Sequence, residues 1–113
     1  MTTDIHLEII GRAGVITLDR PRQLNALTHG MIRVMAPQLR AWAADPAVSH
    51  VIIRQTGEKA FCAGGDVRML VEDIKAIDGD IMLLGAGGKI GPSQARLAAA
   101  ACQAAGVKKK VYA

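Results

Sequence analysis

No acidic residue follows Asp80 in this 113-residue chain. Residues 1–80 hold nine Lys and Arg against all ten Asp and Glu, a balance of −1. Residues 81–113 hold only Lys89, Arg96, Lys108, Lys109 and Lys110, a balance of +5 within the total of +4. Such a step reads as two unrelated pieces joined near 78–80. A basic tail for an acidic partner is the weaker alternative, because the basic residues are spread through an apolar pattern. Aromatics are as scarce as late acids: Trp42, Phe61 and Tyr112 are the whole set, too few for base-stacking platforms, so nucleic acid is not an expected partner. The two cysteines, Cys62 and Cys102, give neither a disulfide framework nor metal-ligand spacing, and read as small apolar fillers. No apolar run approaches 18 residues, so no membrane span is expected. The opening Met-Thr-Thr-Asp-Ile-His-Leu-Glu lacks the basic and apolar regions of a signal peptide, which makes a cytoplasmic location the expectation. His6, His29 and His50 form no ligand pair, so no metal is expected.

The pattern that is present alternates strand and helix periods. Ile5–Ile9 alternates, and Gly11–Gly14 turns it into Val15–Leu18, together a hairpin. Thr28 is placed to cap a helix carrying Met31, Val34, Met35, Leu39 and Trp42, with Pro37 predicted to kink it. Ser49–Gln55 reads as a buried strand. A loop at 56–66 leads to a helix expected to bury Val67, Leu70, Val71, Ile74 and Ile77.

The densest chemical signal is Lys59-Ala60-Phe61-Cys62-Ala63-Gly64-Gly65-Asp66. It follows an apolar strand and opens a helix. Gly64 and Gly65 let the main chain adopt φ > 0 and lie against a ligand. Unpaired N–H groups at a helix start suit an oxyanion. With Leu-Asp-Arg-Pro-Arg-Gln-Leu-Asn-Ala-Leu at 18–27, this run resembles the N-terminal part of the crotonase (enoyl-CoA hydratase/isomerase) superfamily, from about Ile5 to about Asp78. Ala-Gly-Gly-Asp-Val-Arg at 63–68 and the helix bearing Ala-Pro-Gln-Leu-Arg-Ala-Trp are most similar to its 3-hydroxyisobutyryl-CoA hydrolase branch.

The resemblance implies processing of acyl-CoA thioesters, with CoA as part of the substrate and no separate cofactor required. It implies that the Gly65 backbone N–H is one of two donors holding the thioester oxygen. A donor of this kind is worth about 2.7–4 kcal/mol in the transition state. Arg22, Leu24 and Ala26 fall in the segment such proteins lay along CoA, and Ala63, Gly64 and Asp66 flank the donor. Arg22 and Arg68 are phosphate candidates, each weighed against a solvated surface arginine. Asp66 reads as a helix cap or first-turn acid rather than a base. The family's second donor and its catalytic acids come later than the loop at 56–66, and no acid follows Asp80. The expectation is therefore an inactive, truncated chain. Homo-oligomers, trimers or hexamers, are also implied.

From Ile81 the pattern changes to an apolar strand, a glycine-rich turn with Gly85, Gly88 and Gly91 three apart, a helix at 92–105 closed by Gly106, and a basic strand. This resembles the start of an NAD-dependent epimerase/dehydratase Rossmann domain, in which such a turn meets a pyrophosphate. NAD is expected to bind feebly, if through this segment alone. The sequence therefore reads as α/β: a crotonase-like β/α sheet over 1–80, then one Rossmann-like β-α-β unit over 81–113. The alternative function is a non-catalytic nucleotide-binding fragment.

Overall fold

A computed structural model of the chain describes residues 3–113; Met1 and Thr2, where the leader-free N-terminus was read, lie outside them. The architecture is mixed α/β, as expected. It divides into two compact units, the first ending at Asp66 and the second comprising Val67–Ala113.

In the first unit, β1 (Ile5–Ile10) and β2 (Ala13–Leu18) form an antiparallel hairpin across Gly11-Arg12, with Ile10 opposite Ala13 and Ile5 opposite Leu18. Helix α1 (His29–Ala44) then carries the chain back to β3 (His50–Gln55), which pairs parallel to β2. The sheet order is β1-β2-β3. Alternation puts Ile16 and Leu18 of β2 on one face with Ile5, and α1 lays Met31 and Trp42 against them. Ile16 and Met31 are fully buried, each contributing roughly 1.5–3 kcal/mol of hydrophobic stabilisation. Gly14 admits the Trp42 ring: a Cβ at that position would lie 2.5 Å from it.

The expected cap of α1 is present, with Thr28 Oγ1 accepting from Met31 N at 3.2 Å. Pro37 sits within the continuous helix. The carbonyl it leaves without an intrahelical donor belongs to Arg33, which is exposed, so water can supply the bond.

The buried strand expected at 49–55 requires correction. β3 is an edge strand, and Val51, Ile52 and Ile53 are 39%, 45% and 43% exposed. A continuous apolar run suggested cover on both faces, but pairing on one side alone leaves the outer side of the strand open.

The second unit contains α2 (Val67–Ala76), β4 (Ile81–Met82), α3 (Gly91–Ala105) and β5 (Val111–Tyr112). Its core is Ile74, Ala101 and Cys102, with Leu70, Val71, Ile81 and Val111 packed around them. That core explains why the compact units divide ahead of the junction expected at 80/81: α2 buries its apolar stripe against α3. Val67 and Ile77, expected inside, are 58% and 59% exposed, because the stripe of this ten-residue helix centres on Ile74. β4 and β5 run parallel over two residues each, shorter than the strands expected at 81–84 and 107–113. Pro92 sits in the first turn of α3, and Gly106 closes it at φ 68°, donating to the carbonyls of Cys102 and Gln103. The segment is thus β-α-β in order. No helix among the described residues is long and apolar enough to cross a membrane.

Candidate functional site

Two loops of the first unit, 20–27 and 56–66, are knitted together by main-chain bonds. Leu27 N donates to Gly64 O at 2.7 Å, and Asp66 N donates to Leu27 O at 2.9 Å. These bonds make a one-residue parallel bridge between Leu27 and Gly65. Because successive peptide groups along an extended chain point to opposite sides, Gly65 itself turns its N–H and C=O away from Leu27. Its neighbours are engaged: Ala63 N donates to Leu24 O at 3.0 Å, and Gly64 N to Cys62 Sγ at 3.4 Å. Gly64 lies at φ 92°, where a side chain would be strained. A Cβ on Gly65 would meet nothing within 4 Å, and the residue is exposed.

Side chains hold the loops from beneath. Asn25 is 1% exposed; its Oδ1 accepts from Arg20 N, and its Nδ2 donates to Thr56 O and Ala60 O at 3.0 and 3.1 Å. Leu24 and Asn25 both take left-handed backbone angles, φ 52° and 54°. Arg20 Nη1 donates to Ala26 O at 2.6 Å, and its Nη2 to Asp66 Oδ2 at 3.0 Å. Its Nε lies 3.4 Å from Asp4 Oδ2. Nearby, Asp19 accepts from Thr56 Oγ1 at 2.6 Å and pairs with His6 Nε2 at 2.8 Å. The Thr56 hydroxyl first, and the His6 ring second, hold the Asp19 carboxyl below its ordinary range, against a smaller opposing effect of burial.

A cavity of about 410 Å³ opens between the same loops, lined by Arg22, Leu24, Asn25, Thr56, Lys59 and Ala60 among others. Arg22 and Lys59 place two cations on its wall, with the acid Glu58 also lining it, next to apolar Leu24 and Ala60. Of the residues singled out in the sequence, Leu24, Ala26, Ala63, Gly64, Gly65 and Asp66 therefore come together in one bonded pair of loops, with Arg22 at the cavity. Asp66 is engaged with Arg20 rather than open to a ligand. Arg68 lies in the second unit, exposed in the first turn of α2. The sequence reading gave no role to Arg20, Asn25 and Lys59, although all three lie in the runs that carry the resemblance, and it did not single out Thr56. Arg20 and Asn25 meet partners up to 46 and 35 positions away, and no local period marks such pairs.

The glycines expected to meet a dinucleotide lie in the second unit, and their turn is internally bonded. Gly88 N donates to Gly85 O and Gly91 N to Gly88 O, at 3.0 and 3.1 Å. Gly91 is buried so closely on Ala86 that a Cβ would overlap its carbonyl. Two of the three glycine amides are thus occupied. A cavity of about 460 Å³ lies beyond the carboxyl ends of β4 and β5, lined by Leu84, Gly85, Gly87 and Tyr112 among others. Among the described residues no group of His, Cys, Asp and Glu could hold a metal ion.

With this geometry in place, the sequence profile described as enoyl-CoA hydratase/isomerase matches residues 13–84. The chain belongs to the enoyl-CoA hydratase/isomerase family. The match runs past the junction expected near 78–80 and includes β4, so the likeness ends later than the sequence reading placed it. The mitochondrial 3-hydroxyisobutyryl-CoA hydrolase of Danio rerio is 54% identical over 74 residues, 66% of this chain and 19% of the relative. The corresponding hydrolase of Homo sapiens is 53% identical over 73 residues, 65% of this chain and 19% of the relative. Among solved structures, a carnitinyl-CoA dehydratase from Mycobacterium thermoresistibile is 41% identical with a TM-score of 0.63, covering 66% of this chain and 22% of that one. An enoyl-CoA hydratase from Rhodobacter sphaeroides is 46% identical with a TM-score of 0.59, covering 62% and 21%. The chain spans about a fifth of the length of the curated relatives it matches.

Proposed function

We propose that this chain carries the acyl-CoA-binding loops and one oxyanion donor of a CoA-thioester enzyme of the 3-hydroxyisobutyryl-CoA hydrolase kind. The orientation of Gly65 carries the reading: the bridge to Leu27 engages Gly64 O and Asp66 N, and so turns the Gly65 N–H away from Leu27. The thioester oxygen is its ligand, and the donor gains strength as negative charge develops there. The cavity between the loops takes the polar end of CoA, with Arg22 and Lys59 facing its phosphates as charge-assisted donors. CoA enters as part of the substrate, and no further cofactor is called for. A self-contained hydrolytic step is not part of this proposal. Asp66, next in sequence to the donor, is paired with Arg20 rather than placed as a general base.

The test is a calorimetric titration with butyryl-CoA and with free CoA. The expected result is weak binding of both, tighter for the thioester, with no hydrolysis. Gly65→Pro, which has no N–H to donate, should erase the thioester preference while leaving affinity for free CoA within about twofold. Equal affinity of the unaltered chain for both ligands would contradict the reading.

The cavity beyond β4 and β5 favours one second reading, a nucleotide held at the ends of parallel strands. Because Gly88 and Gly91 already use their amides, the expected NAD affinity is feeble, salt-sensitive and no greater than that for pyrophosphate. Salt-resistant binding that prefers NAD would raise this reading above the first.

A further inference from the structure

We propose that Arg20 is the positioning residue of the site, a clamp that fixes the direction of the Gly65 amide. This rests on the reading of Gly65 as the ligand-facing donor, and it assigns work to a side chain that touches no ligand. The guanidinium is 14% exposed and the Asp66 carboxylate 11%. Its fork reaches both sides of the Leu27·Gly65 bridge: Nη1 holds Ala26 O, just before Leu27, and Nη2 holds Asp66, just after Gly65. Nε meets Asp4, ahead of β1, so the clamp is referred to the sheet rather than to another loop. Asn25 fixes the same loop by accepting from Arg20 N.

A bridge of one residue pair has little stability by itself. If it swings, the Gly65 N–H swings with it. The pairing also sets a cation against the carboxylate that directly follows the donor, so the charge of Asp66 does not oppose negative charge developing at the thioester oxygen. Lysine cannot replace this arrangement. An ammonium is a single point, whereas the planar fork serves Ala26 O, Asp66 and Asp4 from one rigid group.

Amide hydrogen exchange on the intact chain tests the clamp without any ligand. The probes are the Leu27 amide, which closes the bridge on Gly64 O, and the Ile16 amide in the central strand. Arg20→Lys should speed Leu27 exchange at least about tenfold while Ile16 stays within about twofold, the mark of local opening. Asp66→Asn should do the same. The double variant should fall short of the product of the single effects, because the Arg20–Asp66 pair is lost in both. Equal acceleration of Leu27 and Ile16 would mean that Arg20 merely stabilises the unit, and would overturn the proposal. So would an unchanged Leu27, or a double variant whose acceleration is the product of the single ones. A parallel titration should show Arg20→Lys losing most of the preference for butyryl-CoA over CoA. Absence of that preference in the unaltered chain would overturn the reading of Gly65, while exchange at Leu27 still decides the clamp.

Discussion

Asn25 occupies a demanding environment in the first unit. It is buried, left-handed, and bonded to three separate backbone groups. Asn25→Ala would strip donors from Thr56 O and Ala60 O and an acceptor from Arg20 N, and alanine tolerates φ 54° less well. A loss of about 2–3 kcal/mol in urea unfolding is expected, from one to three kcal/mol per unsatisfied buried group partly relieved by water. Asp19 governs acid sensitivity in the same neighbourhood. Its carboxyl ionises more readily folded than unfolded, so the stability it contributes is complete above the unfolded value of about 3.9. That contribution is lost as pH falls from there through the lower folded value. Thr56→Val removes the larger cause. Unfolding free energy should then fall near neutrality, and the curves of the variant and the unaltered chain should converge as pH drops through the folded value of Asp19. A deficit of the same size at every pH would show that the Thr56 hydroxyl does not hold Asp19 charged.

At the scale of elements, α1 is held by its cap and its stripe. Thr28→Ala should lower stability by about 1 kcal/mol in thermal or urea unfolding, the usual effect of losing one side-chain cap. This helix was legible from residues alone, because the cap is local and Met31, Trp42 and their neighbours recur at helical spacing. The hairpin was legible through its period of two. The β-α-β order of 81–113 was legible through Pro92 and Gly106, although β4 and β5 pair over only two residues each. β3 was misread: Val51, Ile52 and Ile53 look the same in sequence whether a strand is central or at an edge, since that depends on how many strands pair with it. In the site, Gly64 was legible because its φ of 92° suits glycine, whereas Gly65 has neither the positive φ expected of it nor a close neighbour and was legible only through the run around it. Arg20 and Asn25 were not, because their roles exist only once residues far apart in sequence meet.

For the molecule as a whole, the uneven charge coincides with no boundary in the fold. The acid-free stretch begins at Ile81, the compact units divide at Asp66, and the family match continues to residue 84. The second unit builds its core from both sides of the expected junction, with Ile74 ahead of it and Ala101 and Cys102 after it. The first unit holds, within itself, the bonded loops, the cavity and the outward amide. The account therefore stands on Gly65, and nuclear magnetic resonance can observe that amide directly. With the chain labelled in nitrogen-15, addition of butyryl-CoA should move the Gly65 amide proton downfield, as expected of a new hydrogen bond, while free CoA shifts mainly residues around the cavity such as Arg22 and Lys59. A Gly65 amide that stays in place under saturating butyryl-CoA, or that moves equally with free CoA, would contradict the central claim.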